Sequence, residues 1–242
     1  MSKQNPKKAQ SAKLYLVATP IGNLEDITLR ALKTLKQASI ILSERPKTTL
    51  KLLSKYNIKP KRLITYREDN HNLVAPQIIE WLKQGKSVAL VSEAGTPVLS
   101  DPGLKLVKDI YKTLGPNYIE VIPGASAATT AVAGFPIPTF RFLFLGFINP
   151  KRLKNLLSCQ TITVFKENYI SLVLFQAPTK LESTLKLLQK IEQECNVRIM
   201  VGVARELTKI HEQRIVMPLH ELLKDFNKVT LKGEFTLVLW FI

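Results

Sequence analysis

Apolar residues along this chain fall into short runs of strand length, separated by stretches with helical spacing. LYLVA (Leu14 to Ala18) is a continuous apolar run. After the corner TPIGNLED, the stretch ITLRALKTLKQA repeats Leu29, Leu32 and Leu35 on one helical face, with Asp26 placed to cap it. The alternation continues through strand-like SIILSE, a helix opened by Pro46, the short strand RLITY and a helix over residues 72–83. SVALVS, a helix over 104–114, YIEVIP and the small-residue helix GASAATTAVAG complete the first half. Strands that are apolar on both faces, alternating with helices, predict a mainly parallel sheet covered on both sides.

GFPIPT, with two prolines, interrupts this rhythm and reads as a boundary. Beyond it lie strand-like RFLFLGF, the basic stretch PKRLKN, strand-like TITVF, the strand ISLVLF, the helix TKLESTLKLLQKIEQ and the strands VRIMVGVA and FTLVLWFI. Closely spaced strands predict a mixed sheet in this half. The expected organisation is a polar basic tail over 1–13, disordered by composition, an α/β domain over 14–134, a linker over 135–139 and a second α/β domain over 140–242.

Charge narrows the class of partner. Lys and Arg number 35 against 19 Asp and Glu, a formal net charge of +16. Such a balance fits a solubilising surface or a polyanionic partner, and nucleic acid is the sharper reading. No run approaches the ~18 apolar residues of a membrane span, and no apolar segment follows the tail as in a secretory signal. Cys159 and Cys195 are far apart and outside any C-x-x-C, which points to a reducing compartment and no disulfide framework. His71, His211 and His220 lack metal-ligand spacing and read as surface or turn residues, so no metal is expected.

Three Gly/Pro-rich corners, TPIGN, SEAGTP and IPGAS, each follow a predicted strand, at the sheet end where open α/β sheets bind ligands. None is a G-x-G-x-x-G, a Walker phosphate loop or a nucleophile elbow. Small and weakly polar, they suit a ligand gripped by backbone groups.

LYLVATPIGNLEDITLRALKTLK, LVSEAGTPVLSDPG, IPGASAATTAVAGFPIPTFRFLFLGF, ARELTKIHE and KGEFTLVL together resemble one family, the ribosomal RNA small-subunit methyltransferase I family of the tetrapyrrole (corrin/porphyrin) methylase superfamily. The resemblance runs from Leu14 to Leu239. It implies two α/β domains with S-adenosylmethionine in the cleft between them, a cytoplasmic homodimer, and transfer of a methyl group to the ribose 2′-oxygen of a cytidine in the decoding region of 16S rRNA. Carried over by position, the cofactor contacts are Pro20, Ile21, Gly22, Ala94, Gly95, Thr96, Val98, Leu99, Ser126 and Ala127. From the second domain come Gln176, Ala177, Ala204, Gly233, Glu234 and Phe235.

Activating a ribose hydroxyl calls for a proton acceptor, and Glu93 and Glu206 are the candidates. Lys47, Lys151, Arg152, Lys180, Arg205 and Lys209 are the candidate RNA-binding cations. The chain departs from the family where Glu93 stands for Asp, where SERPK replaces A-E-D-T-R, and where QAPTK replaces E-S-P-H-R. These changes keep two alternatives open: an enzyme of the same fold with another acceptor, such as a tetrapyrrole, and a catalytically impaired paralogue that binds RNA or ribosomes. Asp101-Pro102 reads as the cap and first turn of the helix after the second corner.

Overall fold

The structure, a computed structural model, describes residues 12–138 and 140–242. The tail expected over 1–13 lies almost wholly outside the described residues. The chain divides into two compact units, one comprising residues up to Pro20 and Leu24–Ala125, the other Ile21–Asn23 and Ser126–Ile242. The described part of GFPIPT, residues 134–138, lies within the second unit.

The first unit runs β1 (Leu14–Val17), α1 (Leu29–Gln37), β2 (Ile40–Ser43), α2 (Pro46–Lys55), β3 (Leu63–Thr65), α3 (His71–Lys83), β4 (Val88–Val91), α4 (Leu104–Leu114) and β5 (Ile119–Ile122). All five strands are parallel, in the order β3-β2-β4-β1-β5. The unbroken apolar runs have a direct cause. Leu14 and Leu16 of β1 enter one core with Val88, Leu90, Ile78 and Ile110, while Tyr15 and Val17 enter another with Ala31, Leu35 and Leu53. With alternate side chains packed on opposite faces, both faces of β1 and β4 are apolar, and the one polar residue of β2, Ser43, is buried with its hydroxyl bonded to Thr49 Oγ1 at 2.6 Å.

The second unit runs α5 (Ala127–Ala133), β6 (Arg141–Phe147), α6 (Pro150–Leu156), α7 (Cys159–Glu167), β7 (Ile170–Gln176), α8 (Pro178–Glu194), β8 (Ile199–Arg205), β9 (Gln213–Pro218), α9 (Leu219–Lys224) and β10 (Phe235–Phe241). Its sheet is mixed, in the order β6-β7-β10-β8-β9. Only β6 and β7 are parallel among these pairs.

Several local expectations are corrected. TITVF is helical: Ser158 caps α7 by accepting from Thr161 N, and Ile162 and Phe165 are the buried positions. Helical spacing of two core residues outweighs the β-branched run. Thr28, not Asp26, caps α1 by accepting from Ala31 N. Asp101 and Pro102 precede α4 rather than open it; its cap is Gly103, whose N–H donates to Glu68 Oε1 at 3.2 Å. Burial pushes the Glu68 carboxyl up, but this bond and the Lys105 ammonium outweigh it and hold the group below its ordinary value. His71 is buried rather than at the surface, between Tyr66 Oη (2.9 Å from Nδ1) and Asp109 Oδ2 (3.0 Å from Nε2). Burial pushes the Tyr66 phenol up to about 12.

The cysteine expectation also fails. Cys159, first residue of α7, and Cys195, the C-cap of α8, form a disulfide with Cα atoms 5.2 Å apart. Their separation of 36 residues along the chain says nothing about distance once both helices pack beside β7 and β10. The bond removes the cysteine-based argument for a reducing compartment.

Candidate functional site

In the first unit, all three Gly/Pro-rich corners leave the carboxyl ends of adjacent strands β1, β4 and β5, and they are tied to one another. Thr19 and Gly95 form an isolated bridge, with Thr19 N donating to Gly95 O at 2.8 Å and Gly95 N to Thr19 O at 3.0 Å. Gly95 has φ 79°, the left-handed conformation that favours glycine at this tight return. Ser92 Oγ donates to Gly95 O at 3.2 Å, and Thr96 Oγ1 to Ala125 O in the third corner at 3.4 Å. Ala18 N donates to Ile122 O at 3.1 Å. The predicted residues Pro20, Glu93, Ala94, Gly95, Thr96, Val98 and Leu99 therefore belong to one continuous edge of this unit.

Two features mark that edge as more than a set of turns. Val98 and Ser100 have φ 77° and 67°. A β-branched residue there is held against its preference, at about 1–3 kcal/mol, and such strain concentrates at functional sites. Thr19 Oγ1 is buried and has no hydrogen-bond partner. The sequence reading missed Thr19, whose only sequence signal is its place at the strand end before Pro20. It also passed over Arg45 as a site residue: Arg45 Nη1 donates to Glu93 Oε1 at 3.0 Å, so the candidate acceptor carries its own cation. Lys47 is exposed in the first turn of α2.

In the second unit, a matching corner follows β8. Glu206 N donates to Glu234 O, and Glu206 Oε1 accepts from Glu234 N and from Lys209 Nζ, all at 2.9 Å. Lys209 Nζ also reaches Glu234 Oε2 at 2.9 Å. Burial pushes the Glu206 carboxyl up, yet the Lys209 ammonium and the Glu234 N–H prevail and hold it below its ordinary value. Burial lowers the Lys209 ammonium, and the two carboxylates more than restore it. Glu206 is thus the centre of a latch. Arg205 is committed as well, with Nε donating to Lys232 O at 2.6 Å and Nη1 to His211 O at 3.0 Å. Glu206 and Thr208 have φ 52° and 65°, repeating the strain of the first unit's edge.

Gly22 and Asn23 pack on this corner, with Ile21 buried beside them in the chain: Asn23 N donates to Thr208 Oγ1 at 3.0 Å, and Gly22 faces Leu207 to Lys209. Register places Phe235 opposite both Arg205 and Gln176, with Ala204 opposite Thr236. These residues therefore meet where β7 and β8 end and β10 begins, with Ala177 next in the chain. Gln176 is 2% exposed and its Oε1 has no hydrogen-bond partner. Ser126 precedes α5 as its N-cap, and its carbonyl accepts from Thr130 N and Thr130 Oγ1. Lys151, Arg152 and Lys180 are exposed on α6 and α8. Among the described residues no cluster of His, Cys, Asp and Glu could hold a metal, and no helix is long and apolar enough to cross a membrane.

Residues 13–223 match the family Tetrapyrrole (Corrin/Porphyrin) Methylases. A ribosomal RNA small subunit methyltransferase I from Thermotoga maritima is 42% identical over 94% of this chain and 97% of its own. The protein of the same name from Bacillus subtilis is 38% identical over 96% of this chain and 76% of its own. Among solved structures, uroporphyrin-III C-methyltransferase from Thermus thermophilus, in complex with S-adenosylhomocysteine, superposes with a TM-score of 0.61 at 18% identity, covering 94% of this chain and 92% of that one. Diphthine synthase does so with a TM-score of 0.65 at 14% identity, covering 94% and 90%.

Proposed function

Because the chain belongs to the ribosomal RNA small subunit methyltransferase I family, we propose that it methylates the ribose 2′-oxygen of a cytidine in the decoding region of 16S rRNA, with S-adenosylmethionine as methyl donor. Three buried side-chain oxygens among the described residues lack a hydrogen-bond partner: Thr184 Oγ1 within α8, and Thr19 Oγ1 and Gln176 Oε1, and the observation that carries the cofactor reading is the position of the last two. A buried polar atom without a partner costs about 1–3 kcal/mol. Both stand at strand ends where the sequence motifs place cofactor contacts, and a ligand with amide, amino or hydroxyl donors would satisfy them. The small, backbone-rich edges fit such a ligand.

Pro20, Ala94, Gly95, Thr96, Val98 and Leu99 of the first unit would hold the donor. So would Ile21, Gly22, Ser126, Ala127, Gln176, Ala177, Ala204, Gly233, Glu234 and Phe235 of the second. When bound, S-adenosylmethionine supplies the electrophilic methyl carbon; the chain supplies position and charge. Glu93 accepts the hydrogen bond of the ribose hydroxyl, oriented by Arg45. Glu206 serves instead as a positioning residue, since its oxygen is occupied by Lys209 and by the Glu234 N–H. Lys47, Lys151, Arg152 and Lys180 meet phosphates. Two copies form a homodimer in the cytoplasm.

Deletion of the gene, followed by mapping of 2′-O-methyl groups in 16S rRNA, tests this reading. One cytidine of the decoding region is expected to lose its ribose methyl group and to regain it on complementation. An unchanged map would refute it. Calorimetric binding of S-adenosylmethionine without transfer would identify the impaired paralogue instead.

A further inference from the structure

The second sheet exposes an aromatic side chain through a specific backbone device. β6 pairs with β7 in parallel, and the register shifts between Phe144 and Gly146. Gly146 has φ 57°, the left-handed conformation that glycine adopts readily where a strand breaks register. Residues three apart on a regular strand face opposite sides. The bulge resets the alternation, so Phe144 and Phe147 both reach Phe175, with ring centroids 5.0 Å and 5.4 Å away. Phe175 thus touches both rings, and Phe147 is 69% exposed. Phe175 immediately precedes the orphaned Gln176. The chain from Arg141 to Lys166 carries five cations and no acid, and α6, which starts three residues after Phe147, presents Lys151, Arg152 and Lys154 to solvent.

We propose that Phe147, backed by Phe175 and Phe144, is a base-stacking platform for single-stranded RNA, with Lys151 and Arg152 holding the flanking phosphates. This deepens the function proposed above and rests on its RNA substrate. A π-face beside unpaired cations is the chemistry that single-stranded nucleic acid recognises. A second copy of the chain fits less well, because a symmetric contact centred on Phe147 would turn these cations toward their own copies.

The test uses the full chain and a fluorescein-labelled single-stranded RNA of about twelve nucleotides with no self-pairing, within the usual site size of such surfaces. Fluorescence anisotropy is expected to show about a tenfold loss of affinity for Phe147→Ala and recovery in Phe147→Trp. Lys151→Ala with Arg152→Ala should weaken binding and flatten the slope of log K against log salt by about 1.4. S-adenosylhomocysteine binding and the unfolding midpoint should stay at wild-type values in Phe147→Ala. Wild-type RNA affinity in Phe147→Ala, alongside weakened binding in the cation variant, would overturn the platform and leave the RNA reading intact. A wild-type chain that binds neither this RNA nor small ribosomal subunits would defeat both. Conversion of a dimer to a monomer by Phe147→Ala, seen by sedimentation, would assign the rings to a subunit interface and overturn the proposal.

Discussion

Replacing Gly22 by alanine tests how closely the first corner approaches its support. A Cβ at this position would lie 2.6 Å from Lys209 Cγ, 2.7 Å from Thr208 Oγ1 and 2.8 Å from Leu207 O. The first two atoms belong to side chains, although Thr208 Oγ1 already accepts from Asn23 N and Lys209 is held in the latch. The third is backbone. Leu207 is 6% exposed and sits between Glu206 and Thr208, both at positive φ, and Glu206 is tied to Glu234 by two hydrogen bonds. The loop has little room to recoil, so the methyl group should cost about 1–3 kcal/mol, the usual range for overpacking. For a chain of this size that corresponds to a fall in unfolding midpoint of roughly 2–12 °C. Where displacement of the TPIGN corner absorbs the clash instead, the same energy appears as a loss of S-adenosylmethionine affinity of about 5- to 150-fold. Differential scanning calorimetry and titration calorimetry on one preparation read the two components. Wild-type values in both would refute the close approach and the role given to Gly22.

Gln176→Leu removes an orphaned amide oxygen from the interior, so the ligand-free protein should gain about 1 kcal/mol while S-adenosylmethionine binds about tenfold more weakly; equal losses or no change in both would contradict the orphan's role. The Glu206–Lys209 latch has a defined pH window. The Glu206 pKa is lowered from 4.5, so the native state binds fewer protons than the unfolded chain, and the stabilisation is complete above about pH 4.5 and lost as pH falls through the lowered value. The Lys209 pKa is raised from 10.5, so its share is complete below that pH and lost as pH rises through the raised value. The stability difference between wild type and Glu206→Gln should therefore be flat across the neutral range and shrink at both extremes; a pH-independent difference would rule the latch out. Reducing the Cys159–Cys195 bond, or Cys159→Ser, should cost about 2–4 kcal/mol by releasing a closed loop in the unfolded chain, measured as a lower denaturation midpoint under reductant; equal midpoints would show that the bond adds nothing.

The fold was legible because burial on both faces leaves a plain mark: β1 and β4 are apolar without alternation, as strands covered on both sides are. The helix α7 was not, since its β-branched composition masked the 162/165 spacing. The Gly/Pro corners were legible because a tight return beside a strand restricts residue type. What they bond to was not, because Thr19 to Gly95, Arg45 to Glu93 and Glu206 to Glu234 are joined by the fold rather than by spacing. The disulfide and the exposure of Phe147 escaped for the same reason: the first depends on where two helix ends meet, the second on a one-residue bulge.

The most direct test of the proposed function is transfer itself. Purified protein is incubated with small ribosomal subunits from a strain lacking this gene and with methyl-labelled S-adenosylmethionine, and the RNA is digested for nucleoside mass spectrometry. Label is expected in 2′-O-methylcytidine from 16S rRNA, and is expected to be lost with Glu93→Ala. Label on a base, or none at all from protein that binds the cofactor, would contradict it.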